Sequence, residues 1–307
     1  MSAVSLNQVL LADRLDNTEN YAKRVGGTVT RQAGIVEGLA PLEELVRKHA
    51  PLAASYDVGR TQPMYFSEFT YTELLGNALF VCPQNSEMAT KIVHAAARTP
   101  LVGMSAADVA KTILNQSAFQ DKYIDLQAGN VSPIAVAVLP GSNSLWKMVD
   151  ENALRRALHE DPELMLKPHP VTTVEDIRKL KIIAGLHRLL EPSWSGFALT
   201  MNATRVYSTA TSELAIYAYL HGKPVYNIGA FNNEYVGAYY PLFSLATTTP
   251  VRNQDPALLA ALSNPLSGVF FKNDPNLEEN IKRYFANAMN MRELYRPCAS
   301  EMSALNK

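Results

Sequence analysis

The chain has 307 residues, 47% of them apolar and 19% charged, which describes a globular protein able to bury a large interior and excludes long disordered tracts. With 28 basic against 29 acidic side chains the net charge is −1, so the chain as a whole is no electrostatic trap for nucleic acid or anionic lipid, although a local basic patch is compatible with that sum. The length fits two domains of ordinary size. Cys82 and Cys298 are too few for a disulfide framework, are wrongly spaced for a zinc site, and read as buried or incidental thiols. The start of the chain is broken by Asn7, Asp13 and Arg14 and lacks the apolar core of a signal peptide. Nowhere do about 18 apolar residues run together, so a cytoplasmic protein is expected.

Taken in chain order, residues 1–60 read as helical segments, with 42-LEELVRKHA-50 the clearest. A strand is expected at 78-ALFVCP-83, a helix at 85-NSEMATKIVHAAAR-98, a strand at 100-PLVGM-104 and a helix at 105-SAADVAKTIL-114 capped by Ser105. These suggest a smaller α/β domain over residues 1–130, with a junction within 121–133. From residue 131 short apolar runs alternate with helical stretches, the signature of βαβ units building a parallel sheet. Strands are expected at 133-PIAVAVLPG-141, 163-ELMLKPHP-170, 186-LHRLLEP-192, 204-TRVYSTA-210 and 223-KPVYNIG-229. Helices between them are expected at 144–161, at 173–185 with Thr172 or Thr173 as cap and Gly185 as stop, at 195–203, and at 211–222. Residues 131–307 thus read as a doubly wound α/β domain. The stretches 256-PALLAALSN-264 and 276–297 are helical, compatible with a return onto the first domain.

In an open parallel sheet, ligands sit outside the carboxyl ends of the strands. There the sequence places Gly141, Ser142 and Ser144 in 139-LPGSNS-144, then Lys167 and His169 in 167-KPHP-170, then Ser208, Thr209, Thr211 and Ser212 in 208-STATSE-213. His169 lies between two prolines that keep it out of a helix and stiffen the backbone around it. The hydroxyl-rich turn opens a helix whose unpaired N–H groups and dipole suit a phosphate, and an imidazole or lysine adds a donor to a phosphate oxygen. Each segment also has a plain structural reading, as a turn with a serine cap, a packed histidine, or a capped helix start. Their occurrence at successive strand ends of one domain favours a shared anionic ligand.

The succession KPHP, a Ser/Thr-rich turn, a helix opening on a glutamate and the glycine-ended 221-HGKPVYNIG-229 resembles the C-terminal half of bacterial glycosyltransferases of the two-Rossmann-domain (GT-B) architecture. It is most similar to the capsule and lipopolysaccharide group of Kdo transferases and bacterial sialyltransferases, which share a His-Pro motif and a serine motif. The resemblance runs from Ile134 to Gly229. It implies two Rossmann-like domains facing a cleft, with His169 and the segment Ser208 to Ser212 holding the phosphate of a nucleotide-activated sugar, usually CMP-linked. A double serine is absent, which leaves open which hydroxyl touches phosphate and whether the donor carries CMP. Glu213 would then reach a ribose hydroxyl, or serve as a carboxylate favourable to the helix dipole. His221 reads as a cation at a helix C-terminus, and 231-FNNEYVGAYYPLF-243 as an aromatic loop near the donor or as packing.

Such a transferase would stabilise the charge on the departing phosphate with fixed protein donors, and no DxD motif is present to hold a divalent ion. No cofactor is expected beyond the nucleotide sugar itself. Inversion would require a carboxylate from the first domain, and Asp57, Glu68 and Glu73 are the candidates beside the reading of each as an ordinary surface carboxylate. The family's acidic residue followed by glycine is not matched, because Val58 separates Asp57 from Gly59. The acceptor is expected to be a saccharide or another hydroxyl. A modified base in DNA, as used by phage DNA glucosyltransferases, is a further reading that the near-zero charge disfavours. Two other classes fit the same pattern: a nucleotide-sugar epimerase or glycerophosphate transferase, and a non-catalytic nucleotide or sugar-phosphate binding module. A dehydrogenase and a P-loop NTPase are disfavoured, since neither GxGxxG nor GxxxxGK[ST] occurs.

Overall fold

The computed structural model describes residues 10–12, 31–32, 45–46, 48–49, 54–55, 71–75, 78–83, 86–99, 106–113, 123–124, 131–142, 144–170, 172–230, 239–246 and 256–294. The helical reading of residues 1–60 holds at 45–46 and 48–49. It gives way to short strands at β1 (Leu10–Ala12), β2 (Arg31–Gln32) and β3 (Ala54–Ser55). Partners distant in sequence stabilise these strands where local propensity does not. β1 lies between β2, parallel to it, and the antiparallel β6 (Tyr123–Ile124).

A second sheet forms around β4 (Tyr71–Leu75) and β5 (Ala78–Cys82), an antiparallel pair in which Leu75 faces Ala78 across a two-residue connection, Gly76-Asn77. That Gly-Asn pair between apolar runs is a hairpin signal, and reading 64–73 only for its carboxylates missed β4. The expected helices follow as α1 (Ser86–Arg98) and α2 (Ala106–Ile113). The strand expected at 100–104 lies outside the described residues.

In the second half, the four apolar runs become β7 (Ala135–Val138), β8 (Leu164–Lys167), β9 (Arg205–Ser208) and β10 (Val225–Asn227), all parallel, in the order β10-β9-β7-β8. β7 is buried along its whole length because helices cover both faces of the sheet. Ala135 and Ala137 pack on one side with Leu145, Leu154 and Leu180, whereas Val136 and Val138 pack on the other with the residues of α7 (Glu213–Leu220). The third expected strand is reduced to a 3₁₀ turn at Leu186–Arg188 and one parallel bridge from Leu189 to Leu166. Leu189 nonetheless sits where a third strand belongs, outside β8.

The helix expected over 144–161 is two helices, α3 (Leu145–Met148) and α4 (Glu151–Glu160). Val149 between them is extended and bridges to Gly229, and Asp150 caps α4 by accepting from the N–H groups of Asn152 and Ala153. The remaining helices of this half are α5 (Val174–Ala184), capped by Thr173 and stopped at Gly185, and α6 (Gly196–Asn202), capped by Ser195. α7 is buried on every side from Ala215 to Leu220, which its unbroken apolar sequence requires.

After α8 (Tyr240–Ala246) and α9 (Pro256–Ser263), the chain returns to the first sheet. β11 (Val269–Phe271) adds antiparallel to β5, and α10 (Leu277–Leu294) packs Ile281, Tyr284 and Phe285 against Leu79, Val81 and Phe270. A division at residue 130 therefore leaves the last strand with the first-half sheet. One buried cluster runs from Leu75 and Phe80 through α7 to Val136 and Val206, and Tyr239 stacks on Phe80 with ring centroids 6.4 Å apart. Among the described residues no helix is long and apolar enough to cross a membrane.

Candidate functional site

The strand order decides where a ligand would sit. From β7 the chain moves outward to β8 and the Leu189 bridge, then crosses back to β9 and β10 on the other side. β7 and β9 are neighbours whose following connections diverge, and in open α/β sheets that divergence opens a crevice at the carboxyl ends of the two strands. The loop after β7 carries Gly141, Ser142 and Ser144; the turn after β9 carries Thr209, Thr211 and Ser212; the KPHP turn ends β8, the next strand over.

The β8 exit is a tight turn. The N–H of Thr172 donates to the carbonyl of His169 at 2.9 Å, with Pro170 in the second turn position, where its fixed φ suits the bend. His169 is half-buried at the mouth of this turn and Pro168 is buried beneath it. Lys167 does not point into solvent: it is 2% exposed, and its ammonium donates to the carbonyls of Pro168 and Pro192. That geometry assigns Lys167 to fastening the KPHP turn to the 191–195 loop, a use of the charge that residue type alone does not reveal.

The β7 loop is tied to the same region. Ser142 Oγ accepts the N–H of Thr173 at 2.8 Å and donates to Thr173 Oγ1 at 3.2 Å, while Thr173 Oγ1 donates to Asp176. Asp176 also takes the indole N–H of Trp146 at 2.6 Å, and Lys179 lies over the Trp146 ring. Ser142 thus locks the β7 loop to the start of α5. The carbonyl of Gly141 accepts the N–H groups of Ser144 and Leu145, starting α3.

At the β9 turn, Ser208 is fully buried and donates to the carbonyl of Thr209, and Ser212 caps α7 by accepting the N–H of Leu214 at 3.3 Å. Thr209 Oγ1 and Thr211 Oγ1 form a hydroxyl pair 2.6 Å apart. Gly229, at the exit of β10, is packed close to this turn, so that a Cβ there would lie 2.9 Å from Asn227 Oδ1 and 3.6 Å from the Thr209 side chain. Glu213 is the first residue of α7 and half-buried. The structure therefore brings Gly141, Ser142, Lys167 and His169 into one linked network on the β7–β8 side and Ser208 to Glu213 onto the adjoining β9 end.

No family model matches the chain, and no curated protein matches it. Among solved structures the chain is similar to the β-Kdo 2,7 transferase of KpsC from Thermosulfurimonas dismutans, at 14% identity and a TM-score of 0.42, over 91% of this chain and 99% of that one. It is likewise similar to the β-Kdo 2,4 transferase of KpsC from the same organism, at 13% identity and a TM-score of 0.41, over 84% of this chain and 90% of that one. At this distance neither likeness bears on what the chain does.

Asp57 and Glu68 lie outside the described residues, as does the side chain of Glu73 in β4. Of the aromatic stretch 231–243, the described part is packing, since Tyr239, Leu242 and Phe243 are buried. His221 caps the end of α7, where burial and then the nearby Lys223 ammonium lower its pKa and so disfavour the cation expected there. Among the described residues no group of three or more His, Cys, Asp or Glu is placed to hold a metal ion.

A further polar cluster among the described residues lies at the opposite end of the sheet and escaped the sequence reading. Arg205 at the start of β9 makes two hydrogen bonds of 2.6 Å to Asp161, which also accepts from the Tyr207 hydroxyl at 3.0 Å and from the N–H of Glu163. The hydrogen bonds from Arg205 hold the Asp161 carboxyl below the usual carboxylate range, and burial followed by the bond to Asp161 pushes the Tyr207 phenol up. Its position at the amino ends of the strands makes it a clamp on the fold. The alternation Arg205-x-Tyr207 along one strand face was the available signal.

Proposed function

We propose that the chain is a glycosyltransferase that moves a sugar from a nucleotide-activated donor to a hydroxyl acceptor, with protein groups in place of a divalent ion at the departing phosphate. The observation that carries this reading is the β7 loop and the hydroxyl-rich turn of β9 at the switch point of a parallel sheet, with the KPHP turn at the carboxyl end of the adjoining β8. In this reading His169 and the Thr209–Thr211 pair donate to phosphate oxygens. Lys167 and Ser142 hold the two loops in register so that these donors stay fixed as charge develops, which is the source of the rate gain. In the same reading Glu213, the first residue of α7, meets a ribose hydroxyl of the donor. The first half of the chain supplies the acceptor side of a GT-B-like cleft and the carboxylate that takes the acceptor's proton, for which Asp57 and Glu68 remain the candidates.

The test is thermal-shift binding of CMP, UDP, GDP and ADP to the wild type and to His169→Ala. One nucleotide raising the unfolding midpoint of the wild type, with the shift lost in the variant, supports the phosphate role and names the donor class. If no nucleotide shifts the transition, or the variant responds as the wild type does, His169 is structural and the reading fails.

A further inference from the structure

Thr172 stands between the KPHP turn and the Thr173 cap of α5. It is 1% exposed, and among the described residues its Oγ1 has no hydrogen-bond partner. A buried hydroxyl without a partner costs free energy that valine, of the same shape, does not. Such groups in folded proteins call for a specific explanation. The backbone at this residue and the next ties the two loops together: the Thr172 N–H donates to the His169 carbonyl at 2.9 Å, and the Thr173 N–H donates to Ser142 Oγ at 2.8 Å. Thr200 also has a buried hydroxyl without a partner among the described residues, but it lies inside α6, where a change of rotamer can turn a threonine hydroxyl to the carbonyl four residues back. Thr172 is outside any helix.

We infer that Thr172 is a ligand-binding residue whose hydroxyl pairs with a neutral sugar hydroxyl of the bound nucleotide sugar; this rests on the nucleotide-sugar reading above. A neutral partner is favoured because Glu175 and Asp176 occupy the first turn of α5 and disfavour an anion at that helix end. A sugar hydroxyl both donates and accepts, as the threonine hydroxyl does. Since Oγ1 is covered in the unliganded chain, the ligand reaches it by moving the side chains that cover it, and association is slower than for a preformed site.

The test is calorimetric titration of CMP-sialic acid, UDP-glucose, GDP-mannose and ADP-glucose into the wild type, Thr172→Val and Thr172→Ser, with the unfolding midpoint of each protein recorded without ligand. For the probe that binds the wild type, Thr172→Val should bind about fivefold to tenfold more weakly, the loss of one neutral hydrogen bond, while its midpoint stays level or rises. Thr172→Ser should keep the affinity. Equal affinity in Thr172→Val, or a midpoint several degrees lower, overturns the inference, the latter because it shows the hydroxyl already has a partner. If none of the four binds the wild type, the nucleotide-sugar reading goes first and takes this inference with it.

Discussion

Replacing Arg205 with methionine keeps much of the side chain's length and apolar stem while removing the guanidinium that neutralises Asp161. Asp161 is 5% exposed, so the carboxylate left behind would retain only the Tyr207 hydroxyl and the Glu163 N–H. Breaking a buried pair costs about 3–5 kcal/mol and an exposed pair about 0–1 kcal/mol. The Arg205 side chain is 29% exposed, which places this pair at the lower end of the buried class, about 3 kcal/mol. With a urea dependence of about 3 kcal/mol per molar, the midpoint should fall by about 1 M. Tryptophan fluorescence reads the relevant half, since Trp146 and Trp194 both lie in the part built on the parallel sheet. The double variant Arg205→Met/Asp161→Asn should recover part of the loss, because it removes the uncompensated charge. A midpoint shift below about 0.3 M, the size of an exposed pair, or no recovery in the double variant, would refute the clamp.

The same carboxylate sets an acid limit. Its folded-state pKa is depressed, so its contribution is present above the unfolded-state value near 3.9 and is lost as pH falls through the lower folded value. Urea midpoints of wild type and Arg205→Met should therefore converge below about pH 4, and a gap that stays constant down to pH 2 would exclude Asp161 as the source. Gly268→Ala should abolish folding or cost more than about 4 kcal/mol, because at φ +91° the added Cβ would sit 1.9 Å from the carbonyl oxygen of Val81, which also accepts the Tyr284 hydroxyl; soluble expression with a near-normal midpoint would contradict this. Lys167→Met separates two uses of one residue. If its ammonium fastens the Pro168 and Pro192 carbonyls, stability falls by about 2 kcal/mol, whereas unchanged stability with lost nucleotide binding would make it a phosphate donor after all. Asp150→Ala should cost about 1 kcal/mol in the same urea assay as the cap of α4 is lost.

Much of the second half was legible in the residues themselves. Four apolar runs at 133–141, 163–170, 204–210 and 223–229 became the four parallel strands, because strands covered on both faces must be apolar throughout. Thr173, one of the two threonines expected to cap α5, does so, and Ser195 and Ser212 cap the helices expected at 195–203 and 211–222, since capping is settled within four residues. The placement of KPHP and STATSE at strand ends followed from the same pattern. What tertiary structure alone decided are pairings between residues far apart in the chain. The break at Val149 exists because Gly229 bridges to it, β11 crosses back to pair with β5, and Leu189 meets β8 at a single bridge. The Lys167 charge is spent on the carbonyls of Pro168 and Pro192, and the Ser142 hydroxyl on the start of α5, because each side chain found a partner that no local window contains. Propensity, caps and burial pattern are local and readable in order along the chain; which donor meets which acceptor is set by how the sheet is wound.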